Sequence, residues 1–209
     1  MTELKLKSKR RFSPEVRRSM ILDAAAELVE IEGISQLSME QIAKHAEISK
    51  SLIYKYFDNV QELLKKLLAR ELTELRRRQF AAAEAAETFE QLVRGVTKVY
   101  LQNVSIKGRL IERLQTDPGI AKSMNPRAFN HDVAVDYFAS IVHKNFDIPM
   151  ETARAVTDLS FGIPIYAGSY LLRNSVDKDQ LEDITVAMII GSINGIRDDF
   201  MVRKRHLKR

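Results

Sequence analysis

Apolar residues recur at three- and four-residue spacing through almost the whole chain, and no stretch alternates apolar and polar positions over a strand's length. The pattern predicts an all-α protein. A first helix should open at Ser13-Pro14, a capping hydroxyl followed by proline at the first helical position, and stop at Gly33. Its buried stripe is expected to be Met20 or Ile21, Ala24, Leu28 and Ile31. Ser38 followed by Gln41 has the form of a capping box, with Ile42 and Ala43 as a small apolar face and a stop near His45. Ile48 plugs the turn that follows. Ser49 then caps another helix, with Leu52, Ile53 and Phe57 on one side. Two short helices around a tight turn have the form of a helix-turn-helix. A long helix is predicted from about Asn59 to the alanine-rich stretch near residue 86, burying Leu63, Leu64, Leu67, Leu68, Leu72 and Leu75. At ~1.5 Å per residue it would be about 40 Å long, enough to run through two domains.

Beyond it, Thr88 with Gln91 repeats the capping-box signature and opens a helix to about Ile106. A separate short helix is expected from Arg109 to Gln115, closed by Asp117-Pro118-Gly119. Asn125-Pro126 should start the next, ending near Phe146. Asp147-Ile148-Pro149 restarts the chain into a helix reaching about Arg173, and Asp177 caps a last one running to about Val202. No charged residue occurs between Leu159 and Leu172, and Pro164 within Gly162-Ile163-Pro164 should kink that segment. In the last helix Ala187, Gly191 and Gly195 recur at four-residue intervals beside Ser192, a ridge small enough for another helix to approach closely. Together these features predict a homodimer joined through two helices of each protomer. The alternative is that both helices lie inside one large core.

Composition narrows the function. With 45% apolar residues a packed core is available, and zero cysteines exclude a disulfide framework, a thiolate metal site and a cysteine redox sensor. No apolar run reaches the ~20 residues that span a bilayer, and the start MTELKLKSKRR lacks a signal peptide's apolar region. A soluble, cytoplasmic protein with no membrane partner is expected. The net charge of +5 is concentrated at the ends: residues 1–18 hold seven Lys/Arg against two Glu, and residues 203–209 hold five Lys/Arg. Basic ends on a mildly acidic body suit polyanion binding. The N-terminal arm is assigned to phosphate contact because it precedes the helix-turn-helix, the C-terminal tail to a solvated end.

The outward side of the helix capped by Ser49 carries Lys50, Ser51, Tyr54, Lys55 and Tyr56, all donors and none acidic. A short helix with a donor-rich face suits the major groove of double-stranded DNA. Lys50 and Ser51 are candidates for base edges, and Tyr54 for base or phosphate. Ser49, Tyr56 and Lys55 are assigned to phosphates, and Ser38 is counted on the same surface. The alternative is an αα-hairpin whose polar side is only solvated.

The run from Ile21 to Leu63 resembles the DNA-binding domain of tetracycline-repressor (TetR) family transcriptional regulators. The resemblance is carried by Ala24 to Ala26, Leu28 and Gly33, by Ile42-Ala43, by Ile48-Ser49-Lys50, by Tyr54, Tyr56 and Phe57, and by Glu62-Leu63. Three positions depart from the family pattern. Glu47 replaces a turn glycine, Leu52 a small hydroxyl residue, and Val60 a phosphate-gripping lysine. The resemblance implies a three-helix DNA-binding domain over residues 1–58 and a helical effector-binding and dimerisation domain over residues 59–209. It places the dimer bundle in the last two helices and the effector pocket among the helices before them.

Enzymatic signatures are poor. The histidines at 45, 131, 143 and 206 form no HExxH, and there is no GxGxxG, GxxxxGK[ST] or GxSxG. His131 shares a helical side with Phe138, Ile141 and Val142, and Asn103 lies with Leu92, Val96, Val99 and Tyr100. Each suits either a satisfied core polar group or one of the few polar contacts in an apolar ligand pocket. Tyr100, Asn103, His131, Phe161 and Tyr166 form the candidate pocket, with no metal, cofactor or enzymatic activity expected. The resulting reading is a homodimeric transcriptional repressor released from its operator by a small apolar or amphipathic effector. A helical enzyme using His131 as acid or base, or a DNA-binding scaffold without effector, are the competing classes.

Overall fold

The computed structural model describes residues 12–121 and 131–206, and every regular element among them is a helix. The chain divides into two compact units between Leu67 and Leu68. The basic arm up to residue 11, the expected helix start at Asn125-Pro126 and the last three residues lie outside the described residues.

The first unit is built on local signals. α1 (Pro14–Glu32) opens where Ser13 Oγ accepts the Val16 N–H at 3.3 Å, and ends at Gly33, whose φ of 81° suits a residue without a Cβ. It buries Ile21, Leu22, Ala24, Ala25, Leu28 and Val29. Ile31 does not join them and is 74% exposed, because at 3.6 residues per turn it stands about 120° around the helix from Ala25. α2 (Met39–His45) begins in the expected capping box and α3 (Lys50–Ile53) at Ser49. Between them the Ile48 N–H donates to the Ala43 carbonyl at 2.9 Å. Glu47 takes the left-handed conformation, with φ 53°, at the position read as a replaced glycine. α3 is a single turn, and Tyr54–Tyr56 continue it as a tighter turn in which the Tyr56 N–H donates to the Ile53 carbonyl at 3.0 Å. Ile42, Ile53 and Phe57 are buried, with the Arg18 guanidinium 5.1 Å over the Phe57 ring.

α4 (Val60–Glu84) is opened by Asn59 Oδ1, which accepts the Glu62 N–H at 2.9 Å, while Glu62 Oε2 accepts the Asp58 N–H at 2.8 Å. It buries Leu63, Leu64, Leu67, Leu68 and Leu75; Leu72 is only partly covered.

In the second unit α5 (Phe89–Thr116) starts at the Thr88–Gln91 capping box and runs unbroken, so the separate short helix expected from Arg109 does not exist. Gly108 stands just before the expected start, and glycine costs a helix interior about 1 kcal/mol. Here a Cβ at 108 would stand 3.0 Å from Leu172 Cδ2, so the glycine admits a neighbouring helix and packing offsets its cost. α6 (Pro118–Ala121) is one turn, and α7 (His131–Phe146) ends where expected. The single helix predicted to Arg173 is two, α8 (Met150–Ser160) and α9 (Gly162–Arg173), parted at Phe161. Pro164 explains the break: it has no N–H for the Ser160 carbonyl, and its ring crowds that oxygen. α10 (Lys178–His206) starts where Asp177 Oδ1 accepts the Asp179 and Gln180 N–H groups at 2.8 and 2.9 Å, and it outruns the expected end. α5 packs against α9 and α10, and α7 against α8. The core between them includes Leu92, Val93, Phe138, Val142, Ile189 and Ile193.

Candidate nucleic-acid interface and ligand cavity

In the first unit the buried side of the helix-turn-helix fixes what faces out. With Ile53 and Phe57 in the core, Ser49, Lys50, Ser51, Tyr54 and Lys55 are exposed and Tyr56 is half-buried. Three of them are already engaged. Ser49 Oγ accepts the Leu52 N–H at 3.3 Å and shares a hydrogen bond with Ser51 Oγ at 3.1 Å. The Lys50 ammonium forms an ion pair with the Glu40 carboxylate of α2. Their hydrogen bond raises the Lys50 pKa and lowers that of Glu40 from their ordinary values. The outward side of α3 itself carries no acid, yet a neighbouring helix supplies one, which the helical pattern could not show.

Ser38 is placed differently. Its hydroxyl donates to Gln41 Oε1 at 2.8 Å and accepts the Gln41 N–H at 3.2 Å, and its own N–H donates to the same Oε1 at 2.9 Å. The hydroxyl proton is committed to the cap, so phosphate, which only accepts, meets no free donor there.

The second unit holds a half-open cavity of about 650 Å³, within the range of about 300–1,000 Å³ for small-molecule sites. Tyr100, Asn103, His131 and Phe161 all belong to its wall; Tyr166 does not, and is 77% exposed. Pro164, Ile165, Gly168, Ser169 and Leu172 are the α9 residues that line it, which leaves Tyr166 on the opposite side of that helix. Among the described residues, polar side chains of the wall come from α4, α5, α7, α8 and α9, most of them from α4 and α5. Thr97, Tyr100 and Asn103 follow one another at three-residue steps on α5, and Arg76 and Gln79 do so on α4. Burial raises the Tyr100 pKa against the opposing pull of the Arg76 charge, and burial likewise lowers that of Arg76. Phe138, Val142, Ile189 and Ile193 supply apolar wall from α7 and α10.

His131 Nε2 lies 2.8 Å from Asp158 Oδ1, and its ring meets Phe161 edge-on at 5.5 Å, so it is a partnered wall residue. Gln79 Oε1 and Thr157 Oγ1 are buried with no hydrogen-bond partner among the described residues, and both residues belong to the wall. Arg76, Gln79, Thr97 and Thr157 went unnoticed in the sequence. A signal was present for the α4 pair: Arg76 and Gln79 stand four residues after Leu72 and Leu75, so they continue the leucine stripe.

The uncharged stretch expected at a dimer interface lies largely open in the single chain. Leu159, Ile165 and Tyr166 are exposed, as are Ala187, Met188, Gly191, Ser192 and Gly195 on α10. A Cβ at Gly191 or Gly195 would meet nothing within 4 Å. The alternative of two helices enclosed in one chain's core therefore fails. Among the described residues no group of acids and histidines could hold a metal ion, and no helix is long and apolar enough to cross a membrane.

Residues 21–67 match the family described as bacterial regulatory proteins, tetR family. No curated protein sequence matches the chain. Several solved structures share its fold. The fatty acid degradation regulator FadR from Bacillus halodurans aligns with TM-score 0.66 and 15% identity, over 86% of this chain and 96% of that one. A TetR-like transcriptional regulator from Rhodococcus sp. RHA1 aligns with TM-score 0.64 and 18% identity, over 88% and 100%. A TetR family regulator from Marinobacter aquaeolei VT8 gives 0.57 and 17%, over 85% and 95%. At these identities the likeness speaks for the fold.

Proposed function

We propose, starting from the chain's membership of the TetR family of transcription regulators, that it is a ligand-responsive repressor that binds a palindromic operator in the cytoplasm as a homodimer. The observation that carries the DNA-binding half is the set of exposed Ser49, Lys50, Ser51, Tyr54 and Lys55 with half-buried Tyr56, on an element anchored by buried Ile53 and Phe57. Base edges and phosphates are met by such donors, and a rigid anchor lowers the entropy lost on docking. Dimerisation is supported by exposed residues in the uncharged stretches 162–172 of α9 and 184–196 of α10, where Gly191 and Gly195 leave room for a second helix. Two copies related by a two-fold axis would read two half-sites about 34–36 Å apart or a multiple of that.

The regulatory half is supported by the cavity. A volume of about 650 Å³, lined mostly by apolar side chains with a few polar ones, suits a small apolar or amphipathic effector. To turn a population from mostly operator-competent to mostly incompetent, about 99:1 to 1:99, the effector must prefer the second state by ~5.5 kcal/mol. Operator DNA must then weaken effector binding by the same coupling. Selection of duplexes from a random DNA library by the full chain, followed by titration of small molecules into the complex, tests the whole reading. A two-fold-symmetric enriched sequence and its release by a ligand are expected. Failure to enrich any sequence would defeat the DNA-binding reading; enrichment with no ligand effect would leave a DNA-binding scaffold.

A further inference from the structure

Arg76 carries an inference that the effector reading does not contain, although it rests on that reading. Its guanidinium belongs to the cavity wall, 5.7 Å over the Phe161 ring, and no carboxylate among the described residues forms an ion pair with it. The segment 122–130, KSMNPRAFN, holds no Asp or Glu that could supply one. Glu112 is the one carboxylate of the described wall, and it is exposed and does not pair with Arg76. A charge withdrawn from water is costly unless an opposite charge meets it, and an aromatic ring offsets only part of that cost. The burial that depresses the Arg76 pKa points the same way.

A neighbour adds a donor. The Tyr100 ring stands beside Gly168, where a Cβ would lie 3.3 Å from the phenol oxygen, and that phenol senses the Arg76 charge. Burial keeps the phenol in its neutral, donating form. Gln79, one turn along α4, is more than nine-tenths buried, and its unpartnered Oε1 is an acceptor, which adds no donor for a carboxylate. The wall also holds Leu92, Val96, Phe138, Val142, Ile189 and Ile193, all apolar. The cavity is thus amphipathic, with a cationic patch on α4 and α5 in a mostly apolar wall.

We propose that the effector is an anionic amphipath, a monocarboxylate with an apolar tail, whose carboxylate is held by Arg76 and Tyr100. The guanidinium fork matches a carboxylate in two parallel N–H···O bonds, and the phenol can donate a third. The tail then covers apolar wall, which drives binding but does not choose among head groups.

Calorimetric titration of the full chain with octanoate, dodecanoate and hexadecanoate, each beside its matched alcohol and primary amine, tests this. The best carboxylate should bind about tenfold or more tighter than its alcohol, the factor of one charge-assisted hydrogen bond, and the amine should bind weakest. Arg76→Met keeps the apolar stem and should bring the carboxylate down to the alcohol's affinity while leaving the alcohol unchanged. Arg76→Lys should restore part of the preference, and Tyr100→Phe should cost the carboxylate a few-fold and the alcohol nothing. Equal carboxylate and alcohol affinities in the parent, or a preference that survives Arg76→Met, would overturn the proposal while leaving an effector cavity. No binding by any tail would overturn both. Carboxylate binding through Arg76 with unchanged operator affinity would sustain the proposal and defeat the repressor-release reading.

Discussion

A methyl group on Gly168 of α9 would stand 3.0 Å from Cε1 and 3.3 Å from the hydroxyl of Tyr100 on α5. The same methyl would meet Val104 Cγ2 at 3.1 Å. One missing side chain therefore lets the two helices close up and leaves the tyrosine ring its place in the cavity wall.

Gly168→Ala should destabilise the protein. Overpacking costs about 1–3 kcal/mol, of which the better helix propensity of alanine returns about 1. Gly162, where a Cβ meets nothing within 4 Å, is the control; Gly162→Ala should leave Tm unchanged or slightly raised. Thermal denaturation of both variants checks this, and a higher Tm for Gly168→Ala would contradict the crowding.

The Lys50–Glu40 pair bears on DNA affinity. Glu40→Gln releases the ammonium and removes a negative charge beside the reading surface, so DNA should bind more tightly. If Lys50 then meets a phosphate, the log–log salt slope steepens by about 0.9. Lys50→Ala should weaken binding. Salt titrations of an operator duplex with no change in either variant would place this pair away from the DNA.

Gly191→Leu separates the fold of one chain from its assembly. Nothing within 4 Å obstructs a Cβ there, and leucine improves helix propensity by roughly 0.8 kcal/mol over glycine. Each chain should stay folded and at least as helical, yet sedimentation should show monomers and operator affinity should collapse. A variant that remains dimeric would locate the interface elsewhere.

Glu47 holds φ 53° in the turn of the helix-turn-helix and is exposed. A left-handed residue with a Cβ costs about 1–2 kcal/mol, and glycine's extra freedom in the unfolded chain takes back about 0.4–1. Glu47→Gly should therefore gain about 0.5–1 kcal/mol, measured by urea denaturation. A loss would mean that the Glu47 side chain holds the turn by a contact of its own.

Whatever depends on a few neighbouring residues was legible in the chain. Ser13 before Pro14, Ser38 with Gln41, Ser49, Thr88 with Gln91, and Asp177 each start a helix where read, because a side-chain oxygen must reach a backbone N–H two or three residues away. Glu47, which the family resemblance set where a turn glycine usually stands, takes the left-handed conformation. Tertiary structure decided the rest. α5 passes through Gly108 because Leu172, sixty-four residues later, fills the space beside it. Tyr166 looked like a pocket residue, yet the side of α9 that meets α5 carries Gly168 and Leu172 instead. Arg76 reads as an ordinary polar position of a long helix, and it becomes a cavity cation only because Tyr100, Phe161 and the apolar helices around them exclude much of the water. A hydrogen bond across one turn is written in that turn, whereas the environment of a side chain is set by helices far away in sequence.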